Sequence, residues 1–282
     1  MTQPTYFNAK YSLNLFGLSE NFDFLKKLFD KKKLPKVLMF SGPKGNGKST
    51  LINHLMFLIF DHKNYNEKIY ELNPDSVFLN QFINNFFSNI ISISGHAFKN
   101  VKIEDIRNLK AKIFQSSISD KPRFIIFDDV ELLNNNSLNA LLKIIEEPSK
   151  NNYFILINNK SKPLIETIKS RCLEIKIILN EMQRLNIINF LIKKFDIDIL
   201  IDPKSSNLTP GNFIKFNYIF KENQISPNED FLKNLAILLN LYKKDKDKMF
   251  IDIILFLTDN YFNNLKEKKS FKTIKIIEYR IK

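Results

Sequence analysis

One run of eight residues, Gly42-Pro43-Lys44-Gly45-Asn46-Gly47-Lys48-Ser49, constrains this chain more than any other. It fits G-x-x-x-x-G-K-[ST] at every fixed position. The chain has 6 glycines, and three of them fall here, so this backbone needs unusual dihedrals or a close approach to something. Ahead of the run, Lys36–Phe40 is short and apolar and predicts a buried strand; behind it, Ser49–Asp61 predicts a buried helix. That context gives the motif its chemistry. Glycines let backbone N–H groups converge on phosphate oxygens, and the helix adds its positive N-terminal end. Lys48 then reaches the outer phosphates and the Ser49 hydroxyl ligates Mg²⁺. Residues Gly42 to Ser49, with Thr50, form the candidate site for ATP or ADP; a glycine-rich turn without nucleotide is the alternative.

A phosphate loop needs an acid to hold its magnesium, and Phe124-Ile125-Ile126-Phe127-Asp128-Asp129 supplies one. A carboxylate closing an apolar strand is costly unless it faces a site, which makes Asp128 the candidate acid beside Ser49.

The remaining pattern alternates. Glu20–Lys33 carries Phe22, Leu25, Leu28 and Phe29 at helical spacing, and Ile103–Ile113 repeats the pattern. Arg123–Phe127, Tyr153–Ile157 and Leu173–Ile178 read as strands, with helices at Asn134–Glu146 and Lys162–Lys169. Residues 63–100, rich in Asn, Phe and Ser, give no clear pattern beyond a turn at Asn73-Pro74-Asp75. Strands alternating with helices imply a parallel sheet covered on both faces. After Asn180 the strands stop; Glu181–Phe195, Asn228–Tyr242 and the tail from Met249 predict helices. The expected organisation is an α/β P-loop domain over 1–179, a small helical segment over 180–223 and a helical C-terminal segment over 224–282.

Composition excludes some classes. With 44% hydrophobic and 26% charged residues the chain can bury a core. Its apolar stretch Leu51–Phe60 is far short of the roughly 20 residues a bilayer requires. Met1–Lys10 has no signal-peptide pattern, and the single cysteine, Cys172, fits a reducing compartment, so a cytoplasmic location is expected. The net charge of +13 favours an acidic partner such as nucleic acid. Abundant Lys, Asn, Ile and Phe would equally follow from an AT-rich genome.

The acid box continues as Asp128-Asp129-Val130-Glu131-Leu132-Leu133, followed by Asn139-Ala140-Leu141-Leu142-Lys143-Ile144-Ile145-Glu146-Glu147-Pro148. This resembles bacterial clamp-loader subunits of the AAA+ superfamily, which carry the same helix after the acid box. Ser170-Arg171-Cys172 is similar to that family's S-R-C motif, and Leu15-Phe16-Gly17 with Leu34-Pro35 falls where the family places its adenine-side segment. The likeness covers about residues 13–60 and 101–178; the C-terminal third follows only in architecture, as a helical lid and collar.

The resemblance implies roles. Arg171 would reach in trans into a neighbouring subunit's nucleotide site as an arginine finger; the bland alternative is a pairing within its own fold. Asn158 or Asn159 would sense the third phosphate. Asp129 stands where the family has a water-activating glutamate, and Asn212 where it has a phosphate-sensing arginine, so this chain's own hydrolysis is expected to be weak or absent. Glu146 and Glu147 oppose the dipole of their helix, which a basic partner nearby, for example across a subunit interface, would relieve; two solvated glutamates are the alternative. The zinc cysteines of many relatives are missing, and His54, His62 and His96 have no companion ligands, so no zinc is expected. Within the family the pattern suits a delta-prime type. Its partners would be the motor subunits, a delta subunit, the sliding clamp and primed DNA, in a hetero-oligomer away from membranes. A motor ATPase of the gamma or tau type, or a DNA-binding scaffold without enzymatic activity, are the alternatives.

Overall fold

The structure is a computed structural model and describes residues 4–94, 121–149, 151–227 and 230–268. The predicted helix over Ile103–Ile113 and the tail beyond residue 268 lie outside the described residues. The chain forms two compact units: Met1–Ile187 with Thr209–Asn212, and Ile188–Leu208 with Phe213 onward.

The first unit is built on a parallel sheet. In chain order its elements are α1 (Ser19–Asp30), β1 (Val37–Ser41), α2 (Lys48–Phe60), β2 (Tyr65–Asn66), β3 (Glu71–Leu72), α3 (Val77–Ile83), β4 (Ile90–Ser94), β5 (Arg123–Asp128), α4 (Asn135–Ile145), β6 (Asn152–Asn158), α5 (Glu166–Lys169) and β7 (Leu173–Lys176). Five strands make one sheet in the order β4-β5-β6-β1-β7, every pairing parallel; β2 and β3 form a separate antiparallel ribbon. The stretch that gave no clear pattern in the sequence therefore contains this ribbon, α3 and the edge strand β4.

Because successive strand side chains point to opposite faces, the apolar runs divide between two cores. Leu38, Phe40, Phe124, Ile126, Ile155 and Ile157 join the core that holds α1, α2 and α3. Val37, Met39, Ile125, Phe127, Phe154 and Leu156 join the core under α4 and α5. Burial on both faces explains why these strands read as continuous apolar runs rather than alternating ones. Helix α2 is buried nearly all round, with Leu51, Leu55 and Met56 fully enclosed.

The second unit is helical: the latter part of α6 (Glu181–Phe195), most of α7 (Pro210–Glu222), then α8 (Phe231–Asp245) and α9 (Lys248–Lys268). Phe213, Phe216 and Phe220 recur at helical spacing and are buried. Asn217, fully buried, accepts from the backbone N–H groups of Leu200 (2.7 Å) and Ile201 (3.0 Å) and donates to the Phe213 carbonyl (2.8 Å). Asp230 caps α8 by accepting from the Leu232 and Lys233 N–H groups, and Lys246 ends it in the left-handed conformation. Helix α7 was not anticipated in the sequence reading.

Candidate nucleotide site

The C-terminal ends of the parallel strands converge on one edge. Ser41 closes β1 level with Asn158 at the end of β6, and Asp128 closes β5 level with Ser94 of β4. The phosphate loop leaves β1 at this edge, where α/β folds bind ligands. Gly42 to Gly47 form the turn, and Lys48, Ser49 and Thr50 begin α2.

Sterics hold the loop in shape. Gly42 has φ +147°, and a Cβ there would lie 2.2 Å from the Ile177 carbonyl oxygen. Gly45 has φ +92°, and its Cβ would meet the Thr209 hydroxyl at 2.3 Å. Hydrogen bonds brace the loop on three sides. The Gly42 N–H donates to the Asn158 carbonyl (3.2 Å), and the Asn46 amide donates to the Ile177 carbonyl (3.2 Å). The Thr209 hydroxyl donates to the Lys44 carbonyl (2.7 Å), and the Gly211 N–H donates to the Gly45 carbonyl (3.0 Å). Ile177, Thr209 and Gly211 are not among the candidate site residues named from the sequence. No local signal marks them, because their role is backbone proximity across long stretches of chain.

Lys48 is 3% exposed, and its Nζ donates to the carbonyls of Gly42 (2.7 Å) and Pro43 (2.8 Å). Burial lowers its pKa to about 8, against the opposing pull of Asp128, Glu131 and Asp129. Asp128 is half-buried; burial first, then the Asp129 carboxylate beside it, hold its pKa above the ordinary carboxylate range. These groups form a largely buried cluster of mixed charge. Among the described residues, no group of three or more His, Cys, Asp or Glu side chains is gathered to hold a metal unaided.

After Asp128 the chain turns sharply. Asp129 is left-handed (φ +53°), a conformation that aspartate tolerates better than most residues. A 3-10 turn over Val130–Leu132 follows, and Asn134 caps α4 by accepting from the Ser137 N–H (2.8 Å). Of the two asparagines left open by the sequence, Asn159 meets the acids: its amide donates to Asp129 Oδ1 (2.8 Å) and lies 3.4 Å from Asp128 Oδ1. Asn158 turns back, accepting from the Lys160 N–H (2.9 Å).

The sequence reading passed over Glu131, which is 5% exposed. Its Oε1 accepts from Asn159 N–H (3.1 Å), Ser161 N–H (3.3 Å) and the Ser161 hydroxyl (2.8 Å), whereas Oε2 has no partner among the described residues. The available signal was an acid inside the apolar run Val130-Glu131-Leu132-Leu133.

Arg171 stands apart from this cluster, between α5 and β7. Its Nε donates to Glu146 Oε1 (3.0 Å), with Nη2 in ion-pair contact with the same oxygen (2.9 Å), and its Nη1 donates to the Thr167 carbonyl (2.9 Å). Both Arg171 and Glu146 are partly exposed. The basic partner sought for Glu146 is therefore in the same chain. Asn212, in the first turn of α7, sits against the loop: its backbone N would be 3.1 Å from a Cβ on Gly45.

A parallel sheet ordered β4-β5-β6-β1-β7, with a phosphate loop after β1 and a carboxylate closing β5, defines an α/β nucleotide-binding core of the AAA+ type, followed by helices. The family described as "DNA polymerase III, delta subunit" matches residues 17–180, and the chain belongs to that family. It is similar to the DNA polymerase III subunit delta' of Buchnera aphidicola subsp. Baizongia pistaciae, 33% identical over 88 residues, which cover 31% of this chain and 26% of that protein. It is also similar to the subunit gamma of Buchnera aphidicola subsp. Schizaphis graminum, 30% identical over 151 residues, 51% of this chain and 40% of that one. The match thus spans less than half the length of either relative. Among solved structures, the Thermotoga maritima RuvB Holliday junction branch migration motor aligns over 80% of this chain and 67% of its own, with a TM-score of 0.46 and 17% identity. The chain is a member of the clamp-loader group of AAA+ proteins, for which nucleotide binding is a general property. No helix among the described residues is long and apolar enough to cross a membrane.

Proposed function

We propose that this chain is a delta-prime-like subunit of a DNA polymerase III clamp loader. It binds ATP or ADP with Mg²⁺ through residues 42–50, with Ser49 and Asp128 on the metal. Arg171 serves a neighbouring motor subunit in trans. The assembly, with a delta subunit, loads the sliding clamp onto primed DNA. The observation that carries this reading is the separation of two sets of residues. Arg171 is partly exposed, and its partners are Glu146, Thr167 and Ser170, none of them in the chain's own nucleotide site. Asp129 meanwhile has one methylene less reach than glutamate and is engaged by Asn159, which suits binding with little turnover. The exposed Leu232, Leu239 and Leu255 on α8 and α9 support packing against the C-terminal helices of other subunits.

The test is the DNA-stimulated ATPase of the loader reconstituted with clamp and primed DNA. Arg171→Ala is expected to leave assembly intact and lower turnover by roughly a hundredfold or more, given the 10³–10⁵ that such fingers contribute in GTPases. Full activity in a verified assembly sinks the trans role. Lys48→Ala in the isolated chain is expected to abolish calorimetrically detectable ATP binding, while unchanged affinity makes the loop decorative.

A motor subunit of the gamma type is the second reading, since a gamma subunit is also similar, over 51% of this chain. ATP turnover by the isolated chain at the rate of the full loader supports it; binding without turnover supports delta-prime.

A further inference from the structure

An arginine that acts on a neighbour's phosphates must present a pair of N–H groups outward while the rest of its fork is held. A guanidinium has five N–H groups in a rigid plane. In Arg171, Nε donates to one oxygen of Glu146 at 3.0 Å, and Nη2 lies 2.9 Å from the same oxygen as an ion-pair contact. One N–H of Nη1 is spent on the Thr167 carbonyl at 2.9 Å. Nη1 also donates to the Ser170 hydroxyl, a long bond at 3.4 Å that a phosphate oxygen can replace, and Nη2 keeps an N–H beyond its contact with Glu146. One N–H from each terminal nitrogen is the pair that grips a phosphate bidentately.

Both anchors come from helix ends. The Thr167 carbonyl belongs to the last turn of α5, where carbonyls lack helical partners. Glu146 caps the C-terminus of α4, where its negative charge opposes the helix dipole unless a cation offsets it. An exposed ion pair of this kind adds little to folding stability. Its effect is on geometry: a flexible side chain is confined to one orientation.

We infer that Glu146 is a positioning residue for Arg171, holding the inner part of the guanidinium so that its outer N–H pair faces the phosphates of an adjacent subunit's nucleotide. This rests on the trans reading of Arg171 given above.

The experiment uses loaders reconstituted with wild-type chain, Arg171→Ala, Glu146→Ala, Glu146→Gln or the double alanine variant. Each assembly is verified by size-exclusion chromatography, and kcat and KM for ATP are measured with clamp and primed DNA. Glu146→Ala is expected to lower kcat about tenfold, the scale of a misplaced catalytic group, with KM unchanged. Glu146→Gln, which keeps the acceptor oxygen, restores most of kcat, and the double variant is no slower than Arg171→Ala alone. If Arg171→Ala cripples the loader while Glu146→Ala leaves kcat unchanged, the positioning role is overturned and the finger stands. If the two losses multiply in the double variant, Glu146 acts elsewhere and the inference also fails. A rise in kcat with Glu146→Ala overturns it in the opposite sense, since Glu146 would then restrain the arginine. An Arg171→Ala loader with full activity overturns the trans reading itself, and this inference with it.

Discussion

Cys172 lies beside the arginine, yet its chemistry is governed by burial. Its thiol donates to the Ile168 carbonyl at 3.0 Å, and burial, reinforced by the nearby charge of Glu174, pushes its pKa up to about 11. An ordinary thiol ionises near 8.5. Because the thiolate is the reactive species, only about one molecule in a thousand is ionised at pH 8, and alkylation should run roughly two hundredfold slower than at an unburied cysteine. The rate should keep rising about tenfold per pH unit beyond pH 9, where an ordinary thiol levels off. Iodoacetamide kinetics followed by mass spectrometry measure this directly, and rapid labelling at pH 8 contradicts it. At this scale the sequence was legible wherever a residue's position is set locally. The residues of the phosphate loop and Asp128 are found together in the fold because one strand and one turn determine each position. Glu131 and Thr209 were missed because their partners lie 28–30 and 165 residues away.

Between elements, Glu131 fastens the turn after β5 to the segment after β6. Three donors from residues 159 and 161 depend on one carboxylate oxygen, and the same segment carries the Asn159 amide that meets Asp128 and Asp129. Removing the acceptor would leave these partly buried donors without their shared partner. Glu131→Ala should therefore accelerate hydrogen exchange at Asn159 and Ser161, whereas Glu131→Gln should largely preserve protection. Equal exchange in wild-type and alanine variant would mean that the clamp holds nothing in solution. The central strands were legible because burial on two faces makes them uniformly apolar. The edge strand β4, Ile90-Ile91-Ser92-Ile93-Ser94, was not, since its last four residues alternate polar with apolar and it sits among Asn and Phe residues. Helix α7 was hidden by Pro210-Gly211, a pair that signals a break; proline at the first helical position is in fact favoured, its absent N–H being one the helix does not need.

For the whole molecule, the excess of 43 Lys and Arg over 30 Asp and Glu bears on partners rather than fold. If the loader contacts DNA through phosphates, the DNA concentration giving half-maximal ATPase stimulation should rise steeply between about 50 and 200 mM salt, as displaced counterions require. A salt-independent midpoint would assign the positive charge to composition alone. The phosphate loop carries a longer-term consequence. A side chain at Gly42 or Gly45 collides with Ile177 or Thr209 before any ligand enters, so most substitutions there damage the protein whether or not it still uses nucleotide. A lineage that had stopped spending ATP at this site would keep its glycines long afterwards. The history of catalytic loss would be written instead in residues the fold leaves free to drift.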